Sequence, residues 1–204
     1  MHAIGLTGGF CTGKTFVLKI LEEQGCCTLR ADELAKSIIF SEGSPVLQEI
    51  LAVLGPGVLD PQQGLDKEEF SRVLFEDHEK RQAVNAIVHP LVSEERTKRI
   101  RAIAETRLYD FLIYESALLL ESGIYKDFEK IIVVYSPEAV QVRRAMERDR
   151  LTRVEAQKRI RSQFPLREKL KVANYTIASG GTPESTRANT MEVFHLLKKD
   201  FHLL

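Results

Sequence analysis

The chain has 204 residues, 44% of them hydrophobic and 28% charged, so it is long enough to bury one substantial core and is neither disordered nor fibrous in composition. Lys plus Arg and Asp plus Glu are balanced at 29 each, which gives no global charge pointing to a nucleic-acid or membrane partner. No apolar run reaches the roughly 18 residues of a membrane span, and the cysteines Cys11, Cys26 and Cys27 make no disulfide framework. The expectation is a soluble, cytoplasmic protein without membrane or nucleic-acid partners, its oligomeric state left open.

In chain order, Ala3–Leu6 reads as a short apolar strand. It runs into Gly8-Gly9-Phe10-Cys11-Thr12-Gly13-Lys14-Thr15, which fits G-x-x-x-x-G-K-[ST] at every fixed position, and Phe16 to Leu21 then begins a helix. This strand–loop–helix setting is the one in which the motif binds phosphate. Glycines let backbone N–H groups converge on phosphate oxygens, and the helix N-terminus adds partial positive charge. Gly8, Gly9, Cys11, Thr12, Gly13, Lys14, Thr15 and Phe16 are therefore the expected nucleotide-binding residues. Lys14 reaches the β- and γ-phosphates, and the Thr15 hydroxyl holds Mg²⁺ beside them. Cys11 is either a thiol activated by the loop or a residue that fills space, and filling space is the expectation.

Further strands are expected at Cys26–Leu29, Phe111–Glu115, Lys130–Tyr135 and Tyr175–Ala178, alternating with helical patterns. That alternation indicates an α/β fold with a parallel five-stranded sheet flanked by helices. Ile131 to Tyr135 is a continuous β-branched and aromatic run, as for a strand buried on both faces, and Ser136-Pro137 starts a helix with Pro in its first turn. Between the second and third strands lie about 80 residues, far more than one crossover needs. They carry helical patterns at Ala31–Phe40, Pro45–Leu54, Lys67–Phe75 and from His78 to about Arg107, with Pro90 expected to kink or restart the last. We read one domain over residues 1–204: a core of about 1–40 and 108–204, and a helical acceptor-binding insertion of about 41–107. The insertion is expected beside the carboxyl ends of the strands, where α/β sheets bind ligands.

From Arg143 the chain is Arg-dense, with Arg144, Arg148, Arg150, Arg153, Arg159 and Arg161. Thr152 and Glu155 predict a capping box at the start of a second helix. On composition the segment also fits a solvated basic hairpin. With a phosphate loop in the same chain we expect a lid over about residues 143–162, whose guanidinium groups neutralise charge on the transferred phosphoryl group.

From end to end, roughly Ile4 to Leu196, the chain resembles the dephospho-coenzyme A kinases. The resemblance rests on Gly5-Leu6-Thr7-Gly8-Gly9, Ala31-Asp32, Leu65-Asp66-Lys67, Ile87-Val88-His89-Pro90, Leu118 to Glu121, Arg144…Arg148-Asp149, Arg159-Ile160…Gln163 and the stretch Lys169 to Ala178. It implies the P-loop kinase fold and transfer of the ATP γ-phosphoryl group to the 3′-hydroxyl of the dephospho-coenzyme A ribose, the last step of coenzyme A synthesis, with ATP and Mg²⁺. Asp32 falls at the family's catalytic aspartate, where it would accept the hydroxyl proton; read from the residues alone it is also a candidate helix N-cap. With Lys14, Arg144 and Arg148 it forms the expected catalytic set. Asp32, Lys67, His89, Glu115 and Leu118 are the expected acceptor-binding residues, and Glu115 is a second candidate for Mg²⁺. The chain departs from the family pattern at Arg30, Lys67, Glu115-Ser116-Ala117, Asn174, Ser179 and Cys11-Thr12. Lys67 keeps the charge of an arginine but loses its bidentate fork. The alternatives are a P-loop kinase of another small acceptor, such as a nucleoside monophosphate, and a nucleotide-binding regulatory protein without turnover.

Overall fold

The computed structural model describes residues 1–203. Five strands form one sheet: β1 (His2–Gly8), β2 (Cys27–Arg30), β3 (Phe111–Glu115), β4 (Lys130–Tyr135) and β5 (Tyr175–Ala178). Their order is β2-β3-β1-β4-β5, and β1 runs parallel to both β3 and β4, as β4 does to β5. The register sets Leu6 opposite Glu115 on one side and opposite Ile132 on the other. All five strands therefore end toward the same edge, the edge from which the phosphate loop leaves β1.

The period-two pattern of the strands explains the two faces. Ile4, Leu6, Ile113, Ile132, Val134 and Ile177 share a core with Val17, Leu18 and Leu21 of α1 (Lys14–Glu23). Val193, Phe194 and Leu197 of α9 (Pro183–Asp200) join it. The opposite face carries Gly5, where a Cβ would meet Ile131 and Leu119 side-chain carbons at 2.8 Å. A Cβ there would push the ends of the Leu119 and Ile131 side chains aside, so the glycine lets the turn after β3 lie close on the strand. Residues Ile131 to Val134 are buried throughout, as their uninterrupted apolar run requires.

The chain divides into two compact units, residues 1–29 with 106–204, and residues 30–105. The second consists of α2 (Ala31–Ile39), α3 (Leu47–Leu54), α4 (Lys67–Glu76) and α5 (His78–Thr106), with a short 3-10 turn at Pro56–Val58. Ile39, Val46, Ile50, Leu54, Phe70, Val84 and Val88 form its own core. Asp66 caps α4 by accepting from the Glu68 and Glu69 N–H groups at 2.8 and 2.9 Å. Contrary to the expected restart, α5 runs unbroken through Pro90. Pro90 is exposed, so the carbonyl it leaves without a helical donor can face water.

The remaining helices belong to the first unit: α6 (Glu138–Asp149), α7 (Arg153–Arg161) and α8 (Leu166–Leu170). Pro137 stands at the N-cap of α6, one residue outside the position expected for it. Both bonds of the capping box are present at α7, where Thr152 accepts from the Glu155 N–H and Glu155 from that of Thr152.

Candidate functional site

The loop takes its shape from two glycines. At Gly8 a Cβ would lie 2.2 Å from the Val134 carbonyl oxygen, so no larger residue lets β1 turn there without moving β4. Gly13 has φ 87°, a left-handed conformation that costs an L side chain about 1–2 kcal/mol, and it starts α1 at Lys14. Lys14 arches back over the loop. Its Nζ donates to the Gly8 and Gly9 carbonyl oxygens at 3.2 and 3.1 Å and stands 3.9 Å from Glu115 Oε1 at the end of β3. The expected clamp lysine and the expected metal-facing carboxylate are thus brought together.

Three side chains brace the loop, one from within it and two from outside. Thr12, buried, donates its hydroxyl proton to the Gly9 carbonyl at 2.9 Å. The Ser179 hydroxyl donates to the Thr12 carbonyl. Arg144 donates from Nη2 to the Ser179 carbonyl at 2.6 Å and from Nη1 to the Cys11 carbonyl at 3.4 Å. Arg144 therefore bridges the loop and the end of β5. Cys11 sits with φ 55° and packs with Val142, Ala145 and Ala156 of the α6–α7 hairpin. Burial pushes its thiol up, against the pull of Arg148, so the loop does not activate it and the expectation that it fills space holds.

Arg148 lies over the Phe10 ring, its guanidinium carbon 5.6 Å from the centroid, and Arg159 stands at 5.6 Å from the same ring. Arg148 also donates to both Asp149 oxygens, at 2.7 and 2.8 Å, and this pairing holds the Asp149 carboxyl below the usual range. A cleft of about 460 Å³ opens beside the loop, lined by Lys14, Thr15, Phe16, Arg144, Glu147 and Arg148 among others. Loop amides, one lysine and two arginines around a cleft of that size suit a polyphosphate.

Of the expected acceptor residues, Glu115 and Leu118 lie in this same unit, with Leu118 38% exposed on the turn after β3. Asp32, Lys67 and His89 lie in the helical unit. Asp32 is the second residue of α2, exposed, and its side chain makes no hydrogen bond among the described residues, while Arg30 occupies the N-cap; Asp32 is thus not spent as a cap. The Lys67 Nζ sits 5.6 Å over the Phe40 ring, and His89 is exposed on α5.

The sequence pattern did not single out Phe10, Ser179, Glu121 and Lys169 as working parts. An aromatic residue inside a phosphate loop was a readable signal for Phe10. Lys169 and Glu121 belong to the stretches that carry the resemblance, but no local signal pairs them: Lys169 is 1% exposed, and its Nζ donates to Ala117 O at 2.7 Å and to the Glu121 carboxylate at 2.9 and 3.2 Å.

Known proteins bear directly on this arrangement. The family model described as "Dephospho-CoA kinase" matches residues 2–184. A dephospho-CoA kinase of Shouchella clausii is 38% identical over 98% of both chains. One of Aquifex aeolicus is 34% identical over 98% of this chain and all of its own. Among solved structures, the dephospho-CoA kinase of Campylobacter jejuni superposes with a TM-score of 0.72 at 25% identity, over 97% of this chain and 98% of its own.

Proposed function

We propose, from the premise that the chain belongs to the dephospho-CoA kinase family and is an ATP-dependent kinase, how its residues divide the reaction. The observation that carries the reading is Lys14, held at the mouth of the loop between the Gly8 and Gly9 carbonyls and Glu115. From there its ammonium needs only a side-chain rotation to exchange carbonyl oxygens for β- and γ-phosphate oxygens.

In this proposal the acceptor is the ribose 3′-hydroxyl of dephospho-coenzyme A. The hydroxyl oxygen forms a bond to the γ-phosphorus as the bond from that phosphorus to the β–γ bridging oxygen breaks, leaving ADP. Asp32 accepts the hydroxyl proton, and a carboxylate in that role contributes about 10²–10⁴ in rate. Arg144 and Arg148 balance the charge that spreads onto the transferred oxygens. Closure of the α6–α7 lid excludes water, without which ATP would be hydrolysed instead. Lys67, His89 and Leu118 contact the acceptor.

The donor set suits Mg²⁺. One hydroxyl, Thr15, exposed at the start of α1, and one carboxylate, Glu115, beside the loop, match a hard cation that keeps waters and takes its other ligands from phosphates. Bound there, Mg²⁺ would neutralise phosphate charge, while Thr15 and Glu115 fix its place. Among the described residues no helix is long and apolar enough to cross a membrane. The cysteines are free thiols, which supports a reducing cytoplasm as the working compartment.

The test is a coupled assay of ADP release with a panel of acceptors. Release should require both Mg²⁺ and dephospho-coenzyme A. Asp32→Ala should lose at least about 100-fold in kcat while keeping the wild-type melting temperature, because its side chain is exposed and makes no hydrogen bond. A nucleoside monophosphate preferred as acceptor, or wild-type turnover in Asp32→Ala, would overturn the assignment.

A further inference from the structure

Phe10 is the only aromatic residue of the loop's first segment, Gly8 to Thr15. It is half-buried and packs on the apolar seam that Val142, Ala145 and Ala156 form between α6 and α7. Filling that seam asks only for an aliphatic side chain. An aliphatic chain would not attract cations, yet two converge on this ring. Arg148 comes from the last turn of α6 and Arg159 from the last turn of α7, each with its guanidinium carbon 5.6 Å from the ring centroid. Asp149 lies with them. Its two hydrogen bonds from Arg148, and after them the charge of Arg159, hold its carboxyl below the usual range.

The two arginines assigned to the phosphoryl group differ in what they have left to give. Arg144 has both terminal nitrogens on backbone carbonyls, those of Ser179 and Cys11. Arg148 donates to Asp149 from Nε and Nη2, and its Nη1 makes no hydrogen bond among the described residues. Its side chain is 61% exposed and lines the cleft beside the loop. Such a side chain loses rotamer freedom when it binds, unless it is already held. A carboxylate in the loop would hold it but would also repel the triphosphate. A ring face attracts a cation through its quadrupole and carries no net charge. Phe10 therefore suits a hold for arginine beside phosphate.

We propose that Phe10 is a positioning residue for phosphoryl transfer. Its ring holds Arg148 at the cleft before the triphosphate arrives, so that Nη1 is available to the charge that develops on the transferred oxygens. Arg159 shares the ring, and Asp149 offsets the repulsion between the two cations. The inference rests on the kinase reading only for the step that Arg148 serves.

The experiment uses the full chain with mono-, di- and trifluorinated phenylalanine at position 10. Fluorine withdraws charge from the ring face and barely alters its volume, so the seam stays filled while the attraction for a cation falls. In the coupled ADP assay kcat should fall stepwise, by about 3–10-fold across the series, the worth of one cation–π contact. KM for ATP should stay within about twofold, because the lost interaction is one made in the transition state. Phe10→Leu should fall to the same level, and Phe10→Tyr, which keeps a ring face, should restore wild-type kcat. In an Arg148→Met background the series should be flat. In the free protein, NMR should find the Arg148 Nε–H signal shifted upfield by the ring and returned to its ordinary range in Phe10→Leu. A flat series in the wild-type background, a slope that survives Arg148→Met, or an unshifted Arg148 signal would overturn the positioning role. A sloping series obtained only with an acceptor other than dephospho-coenzyme A would sink the kinase reading and leave Phe10 in its role; normal dephospho-coenzyme A turnover with a flat series would do the reverse. If no acceptor is turned over, the kinase reading falls and the Arg148 shift alone decides whether the ring holds the arginine.

Discussion

Removing Lys169 tests whether a buried ion pair ties α8 to the turn after β3. Lys169, on α8, is 1% exposed and the Glu121 side chain 15%. The ammonium satisfies all three of its donors, at 2.7 Å to Ala117 O and at 2.9 and 3.2 Å to Glu121. Glu121 Oε1 also accepts from the Phe164 N–H at 2.9 Å, just beyond α7. Lys169→Met keeps the stem's volume but leaves a buried carboxylate with one backbone donor. Losing one partner of such a pair costs about 3–5 kcal/mol, or a melting temperature lower by roughly 6–20 °C at this chain length. Glu121→Leu should cost a similar amount, through the stranded cation. The double variant strands only the Phe164 N–H, the Ala117 carbonyl keeping the Thr7 hydroxyl at 3.4 Å, and should cost about 1–3 kcal/mol. Urea unfolding followed by circular dichroism, with unchanged slopes, reads all four corners of the cycle. The reasoning fails if Lys169→Met costs under about 1 kcal/mol or if the two single losses add in the double variant.

Gly8→Ala should lower kcat by about 100-fold, read in the coupled ADP assay, because relieving the 2.2 Å contact with Val134 O displaces the loop by about 1 Å, a misplacement that costs that factor. Ser179→Ala leaves the Thr12 carbonyl without its donor. It should raise KM for ATP several-fold and cost about 1–2 kcal/mol in urea unfolding; unchanged values for both would remove Ser179 from the loop's support. Cys11 and Cys26 should resist thiol reagents in the folded state, since burial pushes the Cys11 thiol up and Cys26 to about 12. A raised pKa means less thiolate at a given pH, so labelling should be slow near neutrality and accelerate as pH rises; rapid labelling of Cys11 at pH 7, located by mass spectrometry, would contradict its packed position.

The strands were legible because each is short, apolar and punctuated. Phe111–Glu115, Lys130–Tyr135 and Tyr175–Ala178 fall where the pattern puts them. β1 and β2 shift by a residue or two at their ends, where alternation gives way to loop residues. Helix ends signalled by side chains, such as Thr152 with Glu155, were equally plain. What stayed hidden depends on where side chains turn after packing. Arg144 reads as one of many lid arginines, and nothing local says that it turns inward onto the Cys11 and Ser179 carbonyls. Lys169 and Glu121 are 48 residues apart and look like ordinary surface charges until the sheet brings them together. Of the kink or restart expected at Pro90, the restart does not occur, because an exposed helix face can leave the freed carbonyl to water.

The loop's unusual Cys11-Thr12 pair makes physical sense in this setting. A residue at Cys11 must accept a φ of 55° while its side chain enters the apolar seam with Val142, Ala145 and Ala156. A thiol is small enough and apolar enough for both. Thr12 contributes a hydroxyl to the Gly9 carbonyl and places its own carbonyl where Ser179 can donate. Ser179 in turn presents its carbonyl to Arg144, which returns to the Cys11 carbonyl. The circuit closes on itself: loop to β5, β5 to α6, α6 to loop. A shift of α6 that moved Arg144 would release the Cys11 carbonyl, so the geometry of the phosphate loop and the position of α6 are linked through Arg144. That link gives Arg144 a positioning role at the loop backbone in addition to any charge it presents to phosphate.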